Sequence, residues 1–112
     1  MEQVKDLNSL VELVIKEGAS DLHISEGRPP IIRIAGSLIP LTKHSVFDKS
    51  SLEKIIDAIV PDWKKEILKT RKAVDFAYEH GVERFRSHVF YQQGKISLAM
   101  RAIPKEIRTL EE

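Results

Sequence analysis

Between Phe85 and Ala102 polar and apolar residues alternate on both sides of a Gln93-Gly94 pair, a pattern that few folds can absorb. Alternation at period two reads as strands with one buried face, and the Gln-Gly pair reads as the tip of a tight hairpin. With the tip placed there, Phe85 meets Ala102, Ser87 meets Met100, Val89 meets Leu98 and Tyr91 meets Ile96, a mostly apolar face. A slip of one residue would mix polar and apolar partners on the same side, so the pattern itself supports this register. The opposite face then has no freedom. On it Arg86 lies opposite Arg101, and Arg84 and His88 flank Arg86 along the same strand.

A third strand near Ala73 to Glu79 extends this hairpin into a meander, with a turn at His80-Gly81 that sets Phe76 against Phe85 and Asp75 against Arg86. Period two occurs earlier as well, at Asp21 to Ile24 and from Ile32 to Leu41 around Gly36-Ser37. There Ile34 would face Ile39, Ile32 would face Leu41, and Pro40 makes its strand an edge. Helical spacing holds elsewhere. Leu7, Leu10, Val11, Val14 and Ile15 form one stripe that stops at Gly18, and Leu52, Ile55, Ile56, Ile59 and Val60 form another, opened by a Ser50/Glu53 capping box and closed by Pro61. A shorter helix from Pro61 to about Lys72 carries Trp63 and Ile67 on one side. Helix, three strands, two helices, three strands predicts an α+β domain: three helices and a largely antiparallel sheet in two groups of about three strands.

The 112 residues amount to one domain, and 18 basic against 17 acidic residues leave no electrostatic argument for nucleic acid or an anionic membrane. The absence of cysteine excludes a disulfide scaffold, a Cys-ligated metal and a thiol nucleophile. No apolar run approaches the roughly 20 residues that span a bilayer, and the amino terminus begins an amphipathic pattern instead of a signal peptide, so the chain reads as soluble.

Like charges directly opposite one another on a sheet repel. Two readings of the Arg86/Arg101 pair stay open: a solvated ion-pair network with Asp75 as counter-ion, or contact with phosphate. Between Val82 and Arg101 four cations (Arg84, Arg86, Lys95, Arg101) stand against one acid, Glu83, an excess that Asp75 cannot neutralise. Arginine presents a fixed fork of donors matched to phosphate oxygens, and two forks on adjacent strands suit a polyphosphate. No Gly-x-x-x-x-Gly-Lys-Ser/Thr loop occurs, so nothing here predicts hydrolysis. Asp21, His23 and Ser25 share one face of a strand, but Asp-x-His supplies only two metal ligands. His44, His80 and His88 are scattered, and no nucleophile and base suggest a catalytic triad. Phe90 shares the Arg86 face, yet one ring is no stacking platform for RNA.

The run Gly18-Ala19-Ser20-Asp21-Leu22-His23, then Arg28-Pro29-Pro30-Ile31-Ile32-Arg33, Gly36, Leu38 and Pro40, forms a recognisable series. It continues through Asp75-Phe76, Gly81-Val82-Glu83-Arg84-Phe85-Arg86, Met100-Arg101-Ala102-Ile103-Pro104 and Thr109-Leu110-Glu111-Glu112. In order and spacing it resembles the amino-terminal domain of the type IV pilus retraction ATPases, the PilT family within the secretion ATPase superfamily. The resemblance implies a PAS-like α+β domain over residues 1–112, followed by a RecA-like ATPase domain in a homohexameric ring that powers pilus disassembly and twitching motility. It also implies that Arg86 and Arg101 reach the phosphates of ATP bound in the RecA-like domain of the same or a neighbouring subunit, with Arg84 a lesser candidate. ATP and Mg are the implied cofactors of the full-length motor, none held tightly by these residues alone. The implied setting is cytoplasmic, peripheral to the inner membrane through the pilus machinery, with no nucleic-acid partner. The Walker motifs are expected beyond Glu112, so these residues alone should not hydrolyse ATP and should bind it no better than about millimolar. The Asp21-x-His23 strand belongs to the resemblance as a structural or interfacial element. A free-standing PAS-like regulator that binds a small ligand is the alternative, although Phe76, Phe85, Val89, Leu98 and Met100 read as ordinary core.

Overall fold

The computed structural model describes residues 2–44 and 46–103. Pro104 and Thr109 to Glu112, which contribute to the resemblance, lie outside them. The first apolar stripe forms helix α1 (Glu2–Glu17), which buries Leu7, Leu10, Val11 and Val14 and leaves Ile15 at its exposed edge. Gly18 follows at φ +69°, a left-handed conformation that glycine adopts without a Cβ clash. Helix α2 (Lys49–Ile59) buries Leu52, Ile55 and Ile56. Its cap is Asp48, not Ser50: the extended Asp48 accepts a hydrogen bond from the Ser51 amide at 2.8 Å, so the helix starts before the Ser50/Glu53 pair and takes that pair into its first turns. Helix α3 (Asp62–Arg71) ends at a left-handed Lys72 and buries Leu68. Trp63 and Ile67 share a side, and that side faces outward.

The period-two segments form six strands: β1 (Asp21–Ser25), β2 (Ile31–Ile34), β3 (Ser37–Pro40), β4 (Ala73–His80), β5 (Glu83–Gln92) and β6 (Lys95–Ile103). All neighbours are antiparallel in the order β3-β2-β1-β6-β5-β4, so the two expected groups of three are halves of one sheet joined where β1 pairs with β6. This is the α+β, PAS-like architecture expected from the sequence, with Pro40 on an edge strand. The β5/β6 register matches the sequence reading, with Phe85 opposite Ala102, Arg86 opposite Arg101 and Tyr91 opposite Ile96.

Two hairpins differ from expectation by two residues. The β4/β5 loop is Gly81-Val82, which opens on a positive φ at Gly81, so Asp75 faces His88, Phe76 faces Ser87, and Arg86 faces Ala77. The β2/β3 loop is Ala35-Gly36, both at positive φ, so Ile32 faces Ile39 and Ile34 faces Ser37. Two-residue hairpins select the dipeptide that meets the twist of the flanking strands, and positive φ at both central residues is one such solution. Because both shifts are even, every side chain keeps the face assigned to it.

The three helices cover one face of the sheet. Leu22, Ile24, Ile32, Val74, Phe76, Phe85, Val89, Ile96, Leu98 and Met100 join the buried helix residues and Phe47 in one core. Tyr78 crosses from the sheet to α1, where its hydroxyl donates to Asn8 Oδ1 at 2.8 Å. Among the described residues no helix is long and apolar enough to cross a membrane. The Ser87 hydroxyl is fully buried on the core face and, among the described residues, has no hydrogen-bond partner. A buried donor left unpaired carries a desolvation cost. Ser87→Ala is therefore expected to leave the melting temperature unchanged or to raise it, whereas Ile24→Ala, which empties a fully buried site, should cost about 2–5 kcal/mol by denaturant titration.

Candidate anion-binding groove

The face away from the helices carries the polar half of each alternating strand. Strand pairing places Arg33 on β2, Asp21 on β1, Arg101 on β6, Arg86 on β5 and Ala77 on β4 in a single row across the sheet. Three arginines and one aspartate thus stand side by side. The neighbouring row holds Asp75, His88, Ala99, His23 and Ile31. Small side chains at Ala77 and Ala99 leave room between the larger ones. An open groove of about 500 Å³ results, lined by Asp21, His23, Lys64, Asp75, Arg86, His88 and Arg101.

Asp21 is only 5% exposed. Its Oδ1 accepts a hydrogen bond from the Ser20 hydroxyl at 2.6 Å and lies 3.8 Å from Arg33 Nε, while its Oδ2 accepts one from Arg101 Nε at 3.2 Å. Burial alone would push this carboxyl up, but the Ser20 hydroxyl and the Arg101 guanidinium overcome that effect and hold it below the usual aspartate value. Arg101 remains open to solvent, its side chain 72% exposed. Among the described residues Arg86 has neither an ion-pair nor a hydrogen-bond partner.

Asp75 occupies a different place from the one expected of it. The two-residue hairpin shift sets it beside His88, whose Nδ1 contacts its carboxylate, and the His88 ring stacks on Phe90 with centroids 5.2 Å apart. Asp75 is therefore not the counter-ion of Arg86. Lys64 of α3 donates to the Asp75 carbonyl and lies 5.0 Å from the centre of the Trp63 ring, which closes one end of the groove. Arg84 lies outside the groove lining, with its Nε 3.6 Å from Glu79 Oε2 on the adjacent strand.

Of the other singled-out residues, His23 lines the groove and Ser25 shares a hydrogen bond with Ser97 at 3.0 Å. Among the described residues no three His, Cys, Asp or Glu side chains converge as metal ligands. His44 stacks on Phe47 and His80 contacts Glu12 at 3.2 Å, both remote from the groove. Sequence reasoning did not identify Asp21 as the partner of Arg101. Only the β1/β6 pairing, between segments about eighty residues apart, brings the two together.

No protein-family profile matches the chain. Among individual proteins, it is 33% identical over 112 aligned residues to the type IV pilus retraction ATPase PilT of Pseudomonas aeruginosa, with 96% of this chain and 31% of that protein covered. It is 27% identical to the type IV pilus ATPase PilU of the same organism, covering 96% of this chain and 28% of PilU. The solved pilus retraction motor PilT with bound ADP superposes with a TM-score of 0.81 at 32% identity, over 90% of this chain and 30% of that one. This domain is homologous to the amino-terminal domain of the secretion ATPase PilT. The fold alone is shared with the ATPase DotB of Legionella pneumophila, at a TM-score of 0.75 and 23% identity. The PilT-like chain spans about a third of the length of the curated relatives it matches.

The Asp21 geometry sets a pH dependence in this PilT-like domain. A carboxyl whose pKa is lower in the folded than in the unfolded chain contributes stability that is present above the unfolded value and lost as pH falls through the folded one. Stability should therefore decline below about pH 4. Asp21→Asn should flatten that part of the decline in denaturant midpoints measured between pH 2 and 6.

Proposed function

We propose that this domain is the nucleotide-clamping amino-terminal part of a hexameric type IV pilus motor, and that Arg86 and Arg101 contact the phosphates of ATP bound to a RecA-like ATPase domain. The observation that carries this reading is the facing pair itself: among the described residues one arginine has no partner and the other is held only at Nε, side by side at a groove. The PilT structure that this chain resembles holds ADP, which supports a nucleotide as the anion. Arg84, engaged with Glu79, is the lesser candidate and would have to release that contact to take part.

The chemistry asked of these residues is binding and positioning. Each charge-assisted hydrogen bond contributes about 1.5–3 kcal/mol, and two forks closing on one polyphosphate favour the arrangement in which the sheet lies against the ATPase domain. Loss of the terminal phosphate removes acceptors from the forks and releases the clamp, which links hydrolysis to a change in domain arrangement and through it to pilus retraction and twitching motility. Magnesium accompanying the nucleotide would supply charge neutralisation at the phosphates. The two acids of the groove, Asp21 and Asp75, are engaged by Arg101 and His88, so the residues that would hold that ion are sought in the RecA-like domain. The partner is the RecA-like domain of the same or a neighbouring subunit, and the ring works in the cytoplasm against the pilus machinery at the inner membrane.

Replacing either arginine by alanine in a full-length motor carrying this domain should lower ATP turnover at least about tenfold while the ring still assembles, since both side chains are exposed and no core is lost. Turnover is read by phosphate release and assembly by sedimentation. Unchanged turnover in both variants would overturn the assignment.

A further inference from the structure

Among the charged groups of the groove to which phosphate clamping assigns no task, the carboxylate of Asp21 is the buried one. Its contacts divide the Arg101 guanidinium into two parts. Asp21 Oδ2 engages Nε, the nitrogen nearest the aliphatic stem, and that bond leaves the two terminal nitrogens with their donors for a second acceptor. The carboxylate is itself fixed, by the Ser20 hydroxyl at 2.6 Å and by its place between Arg33 and Arg101 in the strand register. Arg86, one strand further along the row, has no such anchor among the described residues.

We infer that Asp21 is a positioning residue: by holding Arg101 at Nε it aims the terminal fork of that arginine so that it meets one polyphosphate together with Arg86. This rests on the phosphate reading of the arginine pair. Charge alone makes the opposite demand. A carboxylate one strand from the site repels an anion, so if Asp21 acted only through its charge, Asp21→Asn would bind polyphosphate more tightly. As a positioning residue its loss frees Arg101 to wander, and the ordering cost then falls on binding. The sign of the change separates the two roles.

The same division calls for an arginine at position 101. A lysine at position 101 keeps the charge at an exposed site but offers one ammonium, which cannot serve Asp21 and a phosphate with separate nitrogens.

The test uses the 112-residue chain and sodium tripolyphosphate as the probe, added to about 20 mM, with the arginine Nε–H resonances followed by NMR. In the wild-type chain the Arg86 and Arg101 signals should move together with one dissociation constant. Asp21→Asn should bind about threefold to tenfold more weakly although the groove gains a net positive charge. Equal or tighter binding would overturn the positioning role and leave the phosphate reading intact. If Asp21→Asn does not fold, Arg101→Lys carries the test: binding as weak as that of Arg101→Ala supports the division of the guanidinium, and wild-type affinity contradicts it. A wild-type chain whose arginine signals do not respond would overturn the phosphate reading and this inference together.

Discussion

The carboxylate of Asp21 stands where the two halves of the sheet meet. On one side β1 carries it against Arg33 of β2, and on the other against Arg101 of β6. Three arginines and a single acid in one row would be an unfavourable arrangement in isolation, because like charges opposite one another on a sheet repel. Burying the acid between two of them, with a serine hydroxyl to fix it, makes the junction tolerable at the β1/β6 side. It leaves the repulsion concentrated at the next step, between Arg101 and Arg86. A residual positive site on an otherwise balanced chain, net charge +1, is thus a product of topology and not of composition.

Much of this was legible in the sequence because period-two alternation fixes faces strictly. Phe85, Val89, Leu98 and Met100 share the core face in every even register, and the Gln93-Gly94 tip picks out the one that places Arg86 against Arg101, which the structure has. Other parts were less legible, for physical reasons that differ. His80-Gly81 and Gly81-Val82 are both plausible two-residue loops, and the strands on either side stay amphipathic in either case. Hydrophobic pattern therefore fixed which face Asp75 occupies but not which residue it faces. The cap of α2 shows a similar degeneracy, with Asp48 and Ser50 both able to accept from a first-turn amide. The β1/β6 pairing is non-local. Nothing in the short strand Asp21–Ser25 says which of the later strands it will join.

The groove shows the same division. Its two arginines were visible as a facing pair, whereas its walls come from elements far apart in sequence: Lys64 from α3, Asp75 and His88 from β4 and β5, Asp21 and His23 from β1. The short helix α3 contributes by capping an edge. Its Leu68 holds it to the core, and its Lys64 binds a carbonyl of the outer strand β4, so the groove has a wall where the sheet would otherwise end. The sheet has one face buried under helices and the other open, with three arginines against one buried acid in the row at its centre. The pilus retraction motor PilT that this domain resembles was solved with ADP bound, which is what connects such a surface to a nucleotide in the proposal above.

The central claim is that the Arg86/Arg101 pair closes on nucleotide phosphate, and the most direct measurement is the structure of a full-length motor carrying this domain with a non-hydrolysable ATP analogue bound. The account requires the guanidinium groups of Arg86 and Arg101 to lie within hydrogen-bond distance, about 2.7–3.2 Å, of phosphate oxygens, with Arg101 Nε still bound to Asp21. A nucleotide-loaded ring in which both arginines face solvent, or in which protein carboxylates neutralise them, would contradict it.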